Sequence, residues 1–535
     1  MAVCLGLLLI GGSGVAIGQG PDGVGTTTLH STSRNVILDV VVTDGRGRPV
    51  RGLTASDLTV TEDGRPQVIR MVDTSGGGAD GAVARGGLGE GVPGSESRGG
   101  TGGARTVLLL DEINVRFFDL AFARMRMEAF LASRKAAGQP IAVMSMSGGK
   151  TTLVHDFTTD REALVRAVHK MPAVLPATGE GGIITGNVDP LRELENFRHA
   201  VGVLEQISSA LKGTPDRINL LWITSGFPAL TQMTSSSELQ STLDQLMQGT
   251  SNLFLEAKVT LYTIDPHGVQ IESSLPNHNG QQYQGAGAGA TNINTGEELL
   301  GNQINVTNSQ AVANSVLGRL DQRTGRRSYG NMNDIDVPIG MAMEESASAY
   351  RVAYSPSDKE FDGKYRKIRV KVSRPGLTAR TRDGYYATPE PPVPTPRERK
   401  LMLEEALESP FLFEGLRVTG SLMPGPARST VEVTVGSAGL TRVWDTAGDA
   451  GGDEGTSHVR LTVAMAAFSG ANRVLGTRVW EVEATGRKAV GGSLRYALAY
   501  PLPAGTMRLR VAVSDGSGRR TGTAEVPLGG GSGGL

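Results

Sequence analysis

The chain has 535 residues, too many for one hydrophobic core, which implies about three or four domains. Hydrophobic residues make up 39% and charged residues 20%, a balance that suits a soluble globular protein. The formal net charge of −1 excludes a broad basic footprint for nucleic acid or an anionic membrane surface.

Residues 2–17 (AVCLGLLLIGGSGVAI) are apolar or small and switch abruptly to polar sequence. Ala16 and Gly18 stand at the −3 and −1 positions of a cut before Gln19, so residues 1–18 are expected to be a signal peptide of an exported chain. The run is short and glycine-interrupted, below the roughly 20 residues a spanning helix needs. Cys4, the single cysteine, lies inside it, so no disulfide or cysteine metal site is expected after cleavage.

Residues 34–73 read as a small β-module. Asn35–Thr43 alternates at the strand period, Leu58–Glu62 runs into the hairpin signal Asp63-Gly64, and Gln67–Val72 can return. Residues 74–104 carry 13 glycines and few large apolar side chains, the composition of a flexible linker.

Residues 105–388 change character. Thr106–Leu110, Ile141–Met146, Ile218–Ile223 and Val259–Ile264 are continuous apolar runs, as strands buried on both faces require. Helices are expected between them. One is capped by Asp119 and runs to Ser133. A second, with a Thr159/Glu162 capping box, runs to His169. A third runs from Asp189-Pro190 to the stop at Gly213, and a fourth spans Ser237–Met247. This alternation predicts a doubly wound, mostly parallel sheet. Residues 267–308 are too polar for a core and read as an insertion. Helices near 310–322 and 334–346 follow, then strands at Ala349–Tyr354 and Tyr365–Ser373. The last alternates like a half-exposed antiparallel edge guarded by Arg and Lys, and Tyr385-Tyr386 closes the domain. Residues 389–397 form a proline-rich spacer. Residues 398–535 hold a charged helix, alternating strands at 430–435, 458–467, 474–483, 492–499 and 507–513, and a glycine-rich tail. They predict a β-sandwich.

No catalytic constellation stands out. Ser147-Gly-Gly-Lys150-Thr151 lacks the first glycine of a phosphate loop and a following helix, so it reads as a turn between strands. Ser225 lacks the first glycine of a nucleophile elbow; His155, His169, His199 and His267 could each in principle serve it as a base. Asn331 to Asp336 lacks the Gly and Glu of a calcium loop and reads as a helix cap, with Asn333 the capping side chain.

The order of apolar strand ending in Asp, polar loop and amphipathic helix at 106–131 resembles the first unit of von Willebrand factor type A (VWA) domains. The segments VVVTDGRGRPVRGLTASDLTVTEDGRPQVI, VLLLDEIN, LLWITSGFP, VTLYTIDPHG, YRVAYSP and YRKIRVKVSRPGLTARTRDGYYA together look like one family of exported bacterial VWA-related proteins. The resemblance covers roughly residues 34–388 apart from the linker and insertion.

It implies a VWA-like sheet with Mg²⁺ at its C-terminal edge, where open α/β sheets bind ligands. The family's site takes a carboxylate and two hydroxyls from Asp-x-Ser-x-Ser, a threonine from a second loop and an aspartate from a third, a donor set suited to a hard cation. Here Asp111 is present, but Ile113 and Val115 occupy the hydroxyl positions and Ser225 stands for the aspartate. Asn114 offers a carbonyl one position out of register, and Thr185 is the candidate of the middle loop. The degenerate set is therefore Asp111, Asn114, Thr185 and Ser225, with Glu112 a replacement ligand. The leading expectation is that Asp111 and Asn114 instead bond loop backbone and shape the rim. The chain then reads as a non-catalytic, exported protein, periplasmic, surface-held or released. It would bind another protein or a cell-envelope component without a cofactor. A metal-dependent adhesin with Mg²⁺ at Asp111, or a hydrolase using Ser225, are the alternatives.

Overall fold

The computed structural model describes residues 34–74, 104–115, 117–133, 138–147, 150–172, 190–214, 216–227, 230, 237–266, 328–329, 335–423, 429–437, 440, 443–444, 457–486 and 493–528. The signal segment, the glycine-rich linker, the insertion, the helix expected near 310–322, Asn333 and the tail lie outside the described residues. Among the described residues, no helix is long and apolar enough to cross a membrane.

Four strands come first: β1 (Val36–Thr43), β2 (Leu58–Glu62), β3 (Arg65–Gln67) and β4 (Ile69–Thr74). Positive φ at Asp63 and Gly64 makes the β2–β3 connection a tight primed turn, as the Asp-Gly pair requires. β2 pairs with β3, while β4 crosses to another sheet. The return strand expected over Gln67–Val72 is thus split in two.

The central sheet has six strands, β5 (Ala104–Asp111), β6 (Ile141–Ser147), β7 (Lys150–Thr158), β8 (Arg217–Ile223), β9 (Val259–Ile264) and β10 (Ser328–Tyr329). Their order is β10-β9-β8-β5-β6-β7. Numbered along the chain and read from β7, that is 3-2-1-4-5-6, the order of a doubly wound sheet with its switch point beside the first strand. Neighbours are parallel except β7, which returns antiparallel on β6 with Ser147 opposite Lys150. The Ser-Gly-Gly-Lys segment therefore joins two strands and has no helix to present to a phosphate. Five helices accompany this sheet: α1 (Phe117–Ala132), α2 (Arg161–His169), α3 (Pro190–Leu211), α4 (Ser237–Ala257) and α5 (Asp336–Ser348). Phe197, Leu204 and Ile207 of α3 and Met247 and Phe254 of α4 cover one face of the sheet. Met127 and Phe130 of α1, Leu164 of α2 and Ile339 of α5 cover the other.

Helix boundaries shift for local reasons. α1 starts at Phe117, which places Asp119 in its first turn and not at the cap. Asp160 caps α2 by accepting from the Ala163 amide at 3.0 Å. The expected Thr159/Glu162 box does not form, and Glu162 instead faces Arg166 one turn on. α4 runs ten residues past Met247 because buried Phe254 and Ala257 continue its apolar stripe. Gly249 is no stop when packing continues beyond it.

The remaining strands redraw the expected boundaries. β11 (Tyr350–Tyr354), β12 (Tyr365–Val372), β13 (Thr378–Arg380) and β14 (Gly384–Tyr386) pair with the N-terminal four in two sheets, β13-β1-β11-β4 and β14-β12-β2-β3. Leu38, Val40, Val60, Tyr350, Tyr354 and Ile368 fill the space between them. Residues 34–74 therefore form no separate module: they are half of a sandwich whose other half lies some 300 residues away. β12, expected at an edge, is interior between β14 and β2. Its alternation reflects one buried and one wet face. Inside this sandwich the Glu62 carboxylate accepts from Tyr354 Oη at 2.6 Å, Tyr385 Oη at 3.2 Å and Arg366 at 3.2 Å. The sandwich docks on the α/β layer through Asp39, which pairs with buried Arg217 at 2.6 Å and accepts from Thr260 at 3.1 Å.

α6 (Pro396–Glu408), capped by a Thr395/Glu398 box, leads into the C-terminal sandwich. One sheet is β15 (Val418–Met423), β16 (Ser429–Gly436) and β20 (Ser493–Tyr500). The other centres on β18 (Ser457–Phe468), flanked by β17 (Val443–Trp444), β19 (Val474–Gly486) and β21 (Arg508–Asp515), with β22 (Thr521–Val526) beyond β21. Val431, Val433, Leu461, Val463 and Val511 pack between the sheets, and α6 covers the outer face at Ala464, Phe468 and Ala512. The connecting segment buries Phe411 in the α/β core. There Arg105 binds Glu414 through both oxygens at 2.9 and 2.6 Å.

Candidate functional site

Asp111 ends β5, next to the switch point of the central sheet. Strand alternation puts it on the α3/α4 face with Leu109, and register places Leu109 opposite Trp222 of β8. Trp222 and Thr224, two residues apart, therefore reach the same space as Asp111. All three are fully buried.

The carboxylate is saturated. Oδ1 accepts from the Ile113 amide at 3.2 Å, the Asn114 amide at 3.0 Å and Asn114 Nδ2 at 3.1 Å. Oδ2 accepts from Asn114 Nδ2 at 2.8 Å, Trp222 Nε1 at 3.2 Å and Thr224 Oγ1 at 2.9 Å. A carboxylate has about four lone-pair directions, and six contacts share them. Burial pushes the Asp111 carboxyl above the ordinary carboxylate range, against the opposing pull of the Asn114, Thr224 and Ile113 donors. The apolar side of the site is an aromatic wall, with Trp222 and Phe227 rings 5.9 Å apart and Phe227 edge-on to Phe197 at 4.9 Å.

The sequence-derived set is placed as follows. Asn114 reaches Asp111, but with its amide nitrogen and not the expected carbonyl oxygen. Glu112 does not join them, since its carboxylate pairs with Arg124 at 2.5 Å. The Ser225 hydroxyl is buried and without a hydrogen-bond partner among the described residues, so no described histidine serves it as a base. His155 contacts the Asp156 carbonyl and His169 faces Glu128. Thr185 and His267 lie outside the described residues. Trp222 and Thr224 were missed as partners of Asp111. The signal was available, because Trp222 stands two positions before the Thr of TSG on the strand beside β5.

This arrangement does not fit a cation at Asp111. Every group touching the carboxylate presents a hydrogen, where a metal site presents lone pairs. Chemically the cluster can brace two loops. Asp111 fixes 112–115 through its backbone contacts and 224–227 through Thr224, whose hydroxyl also accepts from the Gly226 amide at 3.3 Å. Gly226 has φ +82°, which turns the second loop back toward Phe227. Glu193 of α3 holds the end of that loop by accepting from the Leu230 amide at 2.5 Å. The result is two loops tied together through Asp111, with the buried Ser225 hydroxyl of the second loop unpartnered among the described residues. Compared with known proteins, the chain matches no family model and no curated protein.

Proposed function

We propose that this chain is an exported, non-catalytic binding protein whose VWA-like α/β domain recognises a protein or cell-envelope component through the rim at Asp111, without metal. The observation that carries the reading is the saturation of the Asp111 carboxylate by six internal hydrogen bonds. A carboxylate committed in this way serves the shape of the rim and offers no coordination position to a partner's acidic side chain. The 3-2-1-4-5-6 strand order supports the VWA-like reading, since it puts the rim where sheets of this kind bind ligands. The test is a pull-down of the mature chain from its own cell envelope, with and without chelator. Recovery of the same partner in equal amount under both conditions is expected. Recovery only with divalent cation would favour the metal-dependent adhesin instead, and recovery of nothing would refute a binding role.

A further inference from the structure

We propose that the outward face of β12 is a second binding surface, away from the rim, and that it holds an acidic polysaccharide. Lys367, Arg369 and Lys371 alternate with the inward Ile368 and Val370, and all three are exposed. They form one row, about 6.6 Å from each to the next along the strand. β12 has β14 on one side and β2 on the other, so protection of an open edge, a common reason for such charges, does not account for them. None of the three makes an ion pair among the described residues. The carboxylates at the two ends of the row are committed elsewhere. Asp63 accepts from the Lys367 main-chain amide at 2.8 Å, and Asp57 pairs with Arg374 at 2.8 Å. Tyr365 opens the same face and is 37% exposed. Its ring lies against Gly384, where a β-carbon would come within 2.7 Å of Tyr365 Cζ, and it meets Tyr386 edge-on at 5.0 Å.

Charge and backbone chemistry select the occupant. A row of like charges repels itself and is complementary to a chain of anions. An acidic peptide laid on this face would find no backbone partners, because the N–H and C=O groups of β12 and β2 are directed along the sheet and into its ladder, and a peptide adds to a sheet at an edge. Single-stranded nucleic acid calls for aromatic rings along the basic track, whereas here the tyrosine pair stands at one end and the whole chain carries a net charge of −1. A lipid surface calls for about four to eight clustered basic residues. A glycan bearing carboxylate, sulfate or phosphate groups meets every feature of the face. Its anions pair with the row, its hydroxyls reach the Thr59 and Thr61 side chains opposite Lys371 and Arg369, and the C–H face of a sugar ring packs on Tyr365.

The test measures binding of the whole chain to immobilised alginate, dextran sulfate and phosphorylated dextran, with neutral dextran as the blank. The three acidic polymers distinguish which anion the row prefers. Lys367→Gln/Arg369→Gln/Lys371→Gln is compared with Lys150→Gln/Lys170→Gln/Lys400→Gln, which removes the same charge from exposed positions elsewhere. All six side chains are exposed, so an unchanged unfolding midpoint confirms that both variants are folded. The wild type should bind at least one acidic polymer and not neutral dextran. The β12 variant should bind it at least about tenfold more weakly, the other variant should match the wild type, and the difference should shrink as salt rises. Binding to none of the three polymers, or an equal loss in both variants, would overturn the proposal. So would equally tight binding to poly-glutamate or to single-stranded DNA, which would assign the row to a different class of polymer. The substitutions leave the Asp111 rim untouched, so failure here is distinct from failure of the envelope pull-down.

Discussion

Replacing Asp111 by Ala tests the brace directly. Each hydrogen bond to a charged group contributes about 1.5–3 kcal/mol, and a buried donor left unsatisfied costs about 1–3 kcal/mol. The Thr224 hydroxyl can rotate to another acceptor, but Trp222 Nε1 and the Asn114 amide cannot. Two orphaned donors therefore cost about 2–6 kcal/mol, and removing a buried carboxylate returns part of that. The net expectation is a loss of about 3 kcal/mol for Asp111→Ala. Asp111→Asn keeps one acceptor and turns an NH₂ toward Trp222 or Asn114, for a loss of about 2 kcal/mol. Equilibrium urea unfolding followed by far-UV circular dichroism reads both. The wild-type melting temperature should not respond to Mg²⁺, because an ion bound only by the native state would raise it. A loss under about 1 kcal/mol for Asp111→Ala, the range of a surface change, or a clear Mg²⁺ shift would refute the brace.

Three further perturbations concern the N-terminal sandwich. Glu62→Gln leaves the Arg366 side chain, 5% exposed, with only the Asp358 carboxylate at 3.5 Å and should cost about 3 kcal/mol in urea unfolding, the lower end for a broken buried pair. In the same cluster, burial and Glu62 hold the Tyr354 and Tyr385 phenols above their ordinary value of 10.0. The fold favours their neutral form, so this stability is complete below pH 10 and declines as pH rises toward the raised values. Tyr354→Phe/Tyr385→Phe should flatten the alkaline limb of a stability–pH curve, and an unchanged limb would count against the cluster. At the acid end, the Arg374 hydrogen bonds and the Thr54 amide hold Asp57 at about 2, below its ordinary 3.8. Its contribution is present above 3.8 and is lost as pH falls through about 2. Arg374→Gln should therefore narrow the difference in unfolding midpoint between neutral and acid solution.

The central sheet was legible because length and composition agree there: short apolar runs such as INLLWI, bounded by turn signals, suit strands covered on both faces. Turn chemistry also read true at Asp63-Gly64 and at Ser147 to Lys150. Pairing between distant strands was not legible. YRKIRVKV shows one wet face, but alternation says nothing about how many neighbours a strand has, and β12 proved interior. The expected end of α4 at Met247 came too early because a buried apolar stripe continues to Ala257. At the site, Asp111 was found from its strand-end position and Ser225 from its loop. The Trp222 indole was missed, because a tryptophan in a buried strand reads as core until register puts its N–H against a carboxylate.

The split sandwich also sets an order of events. Tyr350 Oη bonds the Val50 carbonyl across 300 positions, and Tyr354 reaches Glu62 across 292. Apart from the local β2–β3 hairpin, the first four strands must therefore wait for their partners while the α/β layer between them is made. Contacts of such separation close slowly, and exposed strand edges in the interim invite association with other chains. Glu62 and Arg366, both charged, sit on two of the strands that must find each other. An incomplete chain ending before β11 would leave Glu62 without Tyr354, Arg366 and Tyr385. Completion of residues 350–386 is therefore what lets the N-terminal strands close their two sheets.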